Sequence, residues 1–262
     1  MAQLKFWISA SRLRTLPLSI SGAVVGSSYA YFLDVFDVSI FTLIILTTLS
    51  FQILSNLAND YGDGIKGTDN ESRIGPKRAI QSGEISAKQM RLAVVLNAII
   101  SGVLALSLIL LVFGLNQLLN ALIFMVLGGL SIYAAISYTV GKSAYGYKAL
   151  GDLMVYIFFG LLSVFGTFFL FAQHIDFRLL LPASSVGLLS AAVLNLNNMR
   201  DLDSDQKSNK NTLAGYLGPK NAKVYHFFLV LSAIILMIIF QRPKPRQKVW
   251  YYFWTSFIFD HP

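Results

Sequence analysis

The sequence predicts an all-α fold, a polytopic transmembrane helix bundle of about seven spans. Three observations carry that reading. The 262-residue chain is 55% hydrophobic and 13% charged, against about 25% charged residues in an ordinary soluble domain. Its apolar residues fall in blocks, and a block of roughly 20 is what a helix needs to cross about 30 Å of hydrocarbon. Its lysines and arginines gather in alternate connections between those blocks. In such a chain the bilayer is the solvent, and helices satisfy their own backbone hydrogen bonds there.

The blocks run in order. The first, 16–33, follows MAQLKFWISASRLR, whose apolar run starts only after Arg14, so no separate signal peptide is expected. The second, 39–58, contains the uncharged run FTLIILTTLSFQIL and leads into NLANDYGDGIKGTD. Blocks three and four, 92–113 and 117–138, are separated by a connection without lysine or arginine. Block five, 152–172, follows YTVGKSAYGYKALGD, and block six, 179–198, ends in NLNNMRDLDSD. Block seven is 224–240. Spans two and six both end in Asn- and Asp-rich sequence entering a basic loop, a loose two-fold echo.

Lysine and arginine orient the bundle. The N-terminal segment and the 2–3, 4–5 and 6–7 connections hold 16 of them, while the alternate connections hold only Arg178. The bias places the N-terminus and both acidic stretches on the cytoplasmic side, and the expected membrane is a bacterial inner membrane. The net charge of +8 is therefore a topology signal, and no nucleic-acid partner is expected. There is no cysteine, which excludes disulfides and thiolate metal sites and leaves the redox compartment unread. One segment disobeys the charge rule: QRPKPRQK, after block seven, carries Arg242, Lys244, Arg246 and Lys248 where the outside is due. Residues 1–240 are thus expected to form the transmembrane domain. Residues 241–262 are expected to be an atypical tail from truncation or a frame shift.

The two acidic stretches concentrate the chemistry. Six of the 13 acidic residues lie there: Asp60, Asp63 and Asp69 in the first, Asp201, Asp203 and Asp205 in the second. A lone aspartate at a span end is ordinarily a solvated helix terminus, but six in two stretches with matched asparagines are harder to dismiss. On a helix, residues four apart share a face. Asn59 and Asp63 are so spaced, as are Asp201 and Asp205 with Asn198 beside them, while Asp203 points away. Gly62, Gly64 and Gly67 are expected to loosen the first helix into a loop. Facing carboxylate clusters repel unless positive charge lies between them. With no His or Cys near, their hard oxygens suit Mg²⁺. Arg73, Lys77 and Arg78, then Lys207 and Lys210, supply cations in the adjoining loops, although any cytoplasmic loop attracts cations. Acids with nearby cations fit a Mg²⁺–diphosphate site. A cation transporter is the rival reading, since acids in membrane segments mark ion pathways, although transporters place them near the midplane.

At these residues the chain resembles the UbiA superfamily of intramembrane prenyltransferases. The stretches NDYGD…D and NNMRDLDSD carry the likeness. With RIGPKRAIQSG, YTVGKSAYGYKALGD, NKNTLAGYLG and SRLRTLPLS, it is closest to the branch that acts on 1,4-dihydroxy-2-naphthoate. It runs from about residue 11 to about 230. The resemblance implies nine helices around a central cavity open to membrane lipid, of which this chain has about seven. It implies Mg²⁺-dependent transfer from a polyprenyl diphosphate to 1,4-dihydroxy-2-naphthoate, with decarboxylation, in menaquinone biosynthesis. 4-Hydroxybenzoate is the alternative acceptor. By motif position, Asp60, Asp63, Asp69, Asp201 and Asp205 would hold the metal, with Asp63, Asp201 and Asp205 central to catalysis. Asn59, Asn198, Arg73, Arg78 and Lys210 would hold the diphosphate. Tyr138 and Lys142 match a Tyr-xxx-Lys feature of parts of the superfamily. The first motif departs from the common pattern, since Gly67 stands four residues after Asp63 and the third acid comes at Asp69.

Overall fold

The computed structural model describes residues 4–68 and 78–241. Asp69, Arg73 and Lys77 lie outside the described residues, as do residues 242–262 with the expectation placed on the tail. A short helix α1 (Leu4–Ala10) precedes a 3₁₀ turn at Leu13–Thr15 and α2 (Leu16–Phe32). Then come α3 (Val38–Lys66), α4 (Ala87–Phe113) and α5 (Leu118–Ser137). A rod follows, built from α6 (Gly151–Val155), a π-helical segment (Tyr156–Leu162) and α7 (Ser163–Ala172). Helices α8 (Leu180–Arg200), α9 (Leu202–Lys207) and α10 (Leu213–Gln241) complete the described chain. Six of these rods have the length and composition to cross a membrane among the described residues. The 17-residue α2 is at the lower limit of a span and makes the seventh. The seven match the apolar blocks in order.

Local sequence sets the helix ends. The Asp37 side chain accepts from the Ser39 and Ile40 amides and starts α3. Ser86 and Gln89 form a reciprocal capping box at the start of α4. Gly218, at φ 75°, breaks α10 before Pro219, with proline favoured as the first residue of the new helical run.

One expectation is corrected. The first acidic stretch does not loosen into a loop: α3 runs on to Lys66 and stops only at Gly67, whose φ of 69° suits glycine. Gly62 and Gly64 serve close approach instead. A Cβ on Gly62 would lie 2.4 Å from Thr139 Oγ1, and one on Gly64 would lie 2.9 Å from Ile80. Asn59, Asp60 and Asp63 are therefore held on a continuous helix whose end is pressed against the connection after α5.

Small residues also set the central crossing. A Cβ on Gly160 of the rod would meet the Ala183 carbonyl oxygen and the Gly187 Cα of α8 at 2.6 Å each. Helices without a mutual hydrophobic drive associate through such close backbone contact. The π segment re-aims the rod at this crossing and carries Phe158 and Phe159 to a cavity wall. Buried Leu54, Leu57, Met90 and Ile85 hold α3 against α4. Tyr29, Val164, Phe168 and Leu179 fill the space between α2, the rod and α8. The C-terminal ends of α3, α5 and α8 meet at one end of the bundle, with the N-terminal turn beside them.

Candidate active site

Two adjoining chambers lie inside the bundle. One, of ≈ 360 Å³, is apolar, with Ile44, Phe51, Leu108, Phe124, Phe158 and Leu170 among its walls. The other, of ≈ 340 Å³, lies at the end where α3, α5 and α8 meet and is polar. Arg12, Thr15, Asn59, Tyr138, Leu194 and Asn197 line both and mark the junction. The arrangement accommodates a ligand with a charged head and a long greasy body.

Acids and cations face each other across the polar chamber. Asp63 comes from α3, Asp201 from the break between α8 and α9, and Asp205 from α9. Lys210 Nζ stands between the two motifs, 3.7 Å from Asp63 Oδ2 and 3.6 Å from Asp205 Oδ1. The positive charge that two facing carboxylates demand is thus supplied here by the protein. Burial pushes Asp205 up to about 6, and the Asp201 and Asp63 charges push the same way against Lys210. Asp201 accepts from Arg200 Nε at 2.8 Å and from Arg200 Nη2 at 2.7 Å. Asn59 and Asn198 line the chamber, as do Arg78 and Lys210. Asp203 is exposed.

Asp60 is corrected. Expected as a metal ligand, it is 1% exposed and does not line the polar chamber. Its carboxylate instead accepts from the Arg12 guanidinium and lies 3.6 Å from Arg78 Nε. Its side chain projects toward the N-terminal turn, which carries Arg12. Lys142 is likewise not brought in, being exposed and lining neither chamber. Tyr138, its expected companion, lies at the junction.

Sequence reasoning missed several chamber residues. Arg12, Arg14 and Arg200 counted only as topology cations, yet all three line the polar chamber. Arg12 adopts left-handed backbone, φ 49°, a conformation costing of order 1–3 kcal/mol in a non-glycine residue; strain held by surrounding structure is common at functional sites. The signal available was the spacing of Arg12 and Arg14 just before Pro17, which the resemblance had already marked.

The donor set suits a hard divalent cation. The chamber offers carboxylate and amide oxygens with no His or Cys, and Mg²⁺ usually takes one or two carboxylates, completing its shell with water and phosphate. Among the described residues no three acidic or imidazole side chains stand close enough together to hold a metal ion by themselves, so a cation here would need further ligands from water or phosphate.

Comparison with known proteins gives a consistent result. The model of the UbiA prenyltransferase family matches residues 19–259. The chain is 43% identical over 234 residues to the 1,4-dihydroxy-2-naphthoate octaprenyltransferase of Escherichia coli (strain K12), covering 89% of this chain and 75% of that protein. It is 42% identical over 259 residues to the protein of that name from Haemophilus influenzae (strain ATCC 51907 / DSM 11121 / KW20 / Rd), covering 98% and 82%. Against the Mycobacterium tuberculosis (strain ATCC 25618 / H37Rv) protein of the same name the identity is 34% over 245 residues, covering 94% and 81%.

Proposed function

The chain belongs to the UbiA prenyltransferase family, and from that premise we propose that it transfers a polyprenyl group from polyprenyl diphosphate to 1,4-dihydroxy-2-naphthoate, with loss of the carboxylate, in menaquinone biosynthesis. The observation that carries the reading is the junction of a charged chamber with an apolar one. The diphosphate occupies the polar chamber and the isoprenoid the apolar one, so the allylic C–O bond lies near Tyr138 and Asn59. A transporter reading is less well served, because the acids sit at span ends among cations and not at the midplane.

Asp63, Asp201 and Asp205 would hold Mg²⁺, with Asn59 and Asn198 as neutral oxygen donors to the same assembly. When bound, the cation would neutralise the diphosphate and improve it as a leaving group. Arg12, Arg14, Arg78, Arg200 and Lys210 place fixed positive charge where the leaving group gathers negative charge. Asp60 keeps Arg12 and Arg78 in that arrangement. The aromatic and aliphatic walls keep water from the allylic carbocation as the C–O bond breaks. The electron-rich ring carbon bearing the carboxylate attacks C1 of the isoprenoid. Diphosphate leaves, the new C–C bond forms, and departure of CO₂ returns the electron pair that restores the aromatic ring.

The donor's tail is soluble only in the bilayer, so it enters from lipid. In the orientation that the lysines and arginines favour, the polar chamber would face the cytoplasm. The test is a competition: protein in lipid nanodiscs receives Mg²⁺, a polyprenyl diphosphate and equal amounts of 1,4-dihydroxy-2-naphthoate and 4-hydroxybenzoate. Prenylated, decarboxylated naphthalenediol as the main product is the expected result. Prenylated 4-hydroxybenzoate as the main product would move the chain to another branch.

A further inference from the structure

Tyr147 lies in the connection between α5 and α6 and entered neither the sequence reading nor the mechanism above. Its hydroxyl donates to Asp63 Oδ1 at 2.8 Å. Thr68 Oγ1 lies 2.5 Å from the same phenolic oxygen. Since the phenol's one proton goes to the carboxylate, the threonine donates to the phenol. Lys66 Nζ sits 4.1 Å over the ring and donates to the Thr139 carbonyl at 2.7 Å. The ring is therefore clamped by the last turn of α3, and its hydroxyl is aimed at one carboxylate oxygen. The other oxygen, Oδ2, is the one that faces Lys210.

The same connection also touches the segment that follows the second motif. The Ala149 amide donates to the Asn211 carbonyl at 2.7 Å, one residue beyond the Lys210 that lies between Asp63 and Asp205. One short connection thus touches Asp63 through Tyr147 and, through Ala149, the neighbour of the Lys210 that faces both acids. A carboxylate that must share a cation with a partner on another helix needs its torsion fixed, and groups hydrogen-bonded behind a ligand do that.

We propose that Tyr147 is a positioning residue for the Asp63 carboxylate, fixing Oδ1 so that Oδ2 is presented to the metal and diphosphate shared with Asp205. The inference rests on the metal–diphosphate reading of the polar chamber. It assigns Tyr147 no contact with substrate. Its hydroxyl acts through Asp63, so loss of the hydroxyl weakens the metal site and leaves the acceptor alone.

The test measures Mn²⁺ binding by electron paramagnetic resonance, with inorganic pyrophosphate present, on the full chain in detergent or nanodiscs. Wild type against Asp63→Asn checks the underlying reading: binding indifferent to Asp63 overturns that reading and the inference with it. Given Asp63-dependent binding, Tyr147→Phe, which keeps the ring beneath Lys66, is expected to weaken Mn²⁺ affinity about 10- to 100-fold, the usual cost of losing a group behind a metal ligand. Turnover assays should show the half-saturating Mg²⁺ concentration rising by a like factor, with KM for the naphthoate unchanged. Thr68→Val, which leaves the phenol but removes the bond that aims it, should give a smaller loss in the same direction. It carries the test if the phenylalanine variant does not fold. Tyr133→Phe, an exposed tyrosine on α5, serves as the control. Wild-type Mn²⁺ affinity in Tyr147→Phe, or in Thr68→Val where that variant stands in, would overturn the inference and leave the site reading intact.

Discussion

Asp60 and Asp63 stand three residues apart on one helix, and the structure gives them different work. Asp63 faces the chamber and Lys210, whereas Asp60 is buried against two guanidiniums. Asp63→Asn and Asp205→Asn should each cut turnover by about 100-fold or more, the order expected when one key electrostatic group is lost. Asp203→Asn, on the exposed side, should change turnover little; sensitivity equal to that of Asp205 would show the face assignment to be wrong. Asp60→Asn should fail in another way. Removing one partner of a buried ion pair costs about 3–5 kcal/mol, and here it releases Arg12 and Arg78. The variant should melt earlier and bind pyrophosphate more weakly, while the half-saturating Mg²⁺ concentration stays near that of wild type. Dose–response curves for the two ligands, measured side by side, distinguish these outcomes.

Helix ends and helix crossings place those side chains. The apolar blocks were legible because hydrocarbon thickness sets a length that composition alone reveals. The end of α3 was not. Three glycines within six residues read as a break, but Gly62 is there because Thr139 presses on it at a distance no Cβ tolerates. That contact joins residues far apart in sequence, so no local pattern could show it. The same holds for Arg12, whose importance depends on a partner 48 positions away, and for Tyr147, which reads as one aromatic among many until Asp63 is seen beside it. Asp63, Asp205, Asn59 and Asn198 were legible because acids are costly near hydrocarbon and seldom cluster there without a cation. Gly62→Ala and Gly160→Ala should each destabilise the bundle by about 1–3 kcal/mol through overpacking. Gly62→Ala should also lower pyrophosphate affinity, since it displaces the turn carrying Asp63. Thermal melting with and without pyrophosphate checks both, and an unshifted midpoint in both variants would contradict the close-packing account.

At the scale of the whole molecule, one end of the bundle carries the charge and the middle carries the apolar chamber. The chain has no cysteine, so single cysteines introduced for labelling meet no background. A cysteine at Lys142 or Asp203 should react from the cytoplasmic side with an impermeant thiol reagent, and one at Leu115 should react only from the opposite side. The reverse pattern would invert the bundle. The central claim is that a metal-bound diphosphate sits between Asp63 and Asp205 while the isoprenoid fills the apolar chamber. The most direct measurement is an experimental structure with Mn²⁺ and a non-reactive prenyl thiodiphosphate, in which anomalous scattering marks the metal. The account predicts a Mn²⁺ peak within coordination distance of Asp63 Oδ2 and an Asp205 oxygen, with Lys210 moved onto the diphosphate and the prenyl chain running past Tyr138 toward Phe158. A metal peak on Asp60, or a prenyl chain lying outside the chamber lined by Phe51 and Phe158, would contradict it.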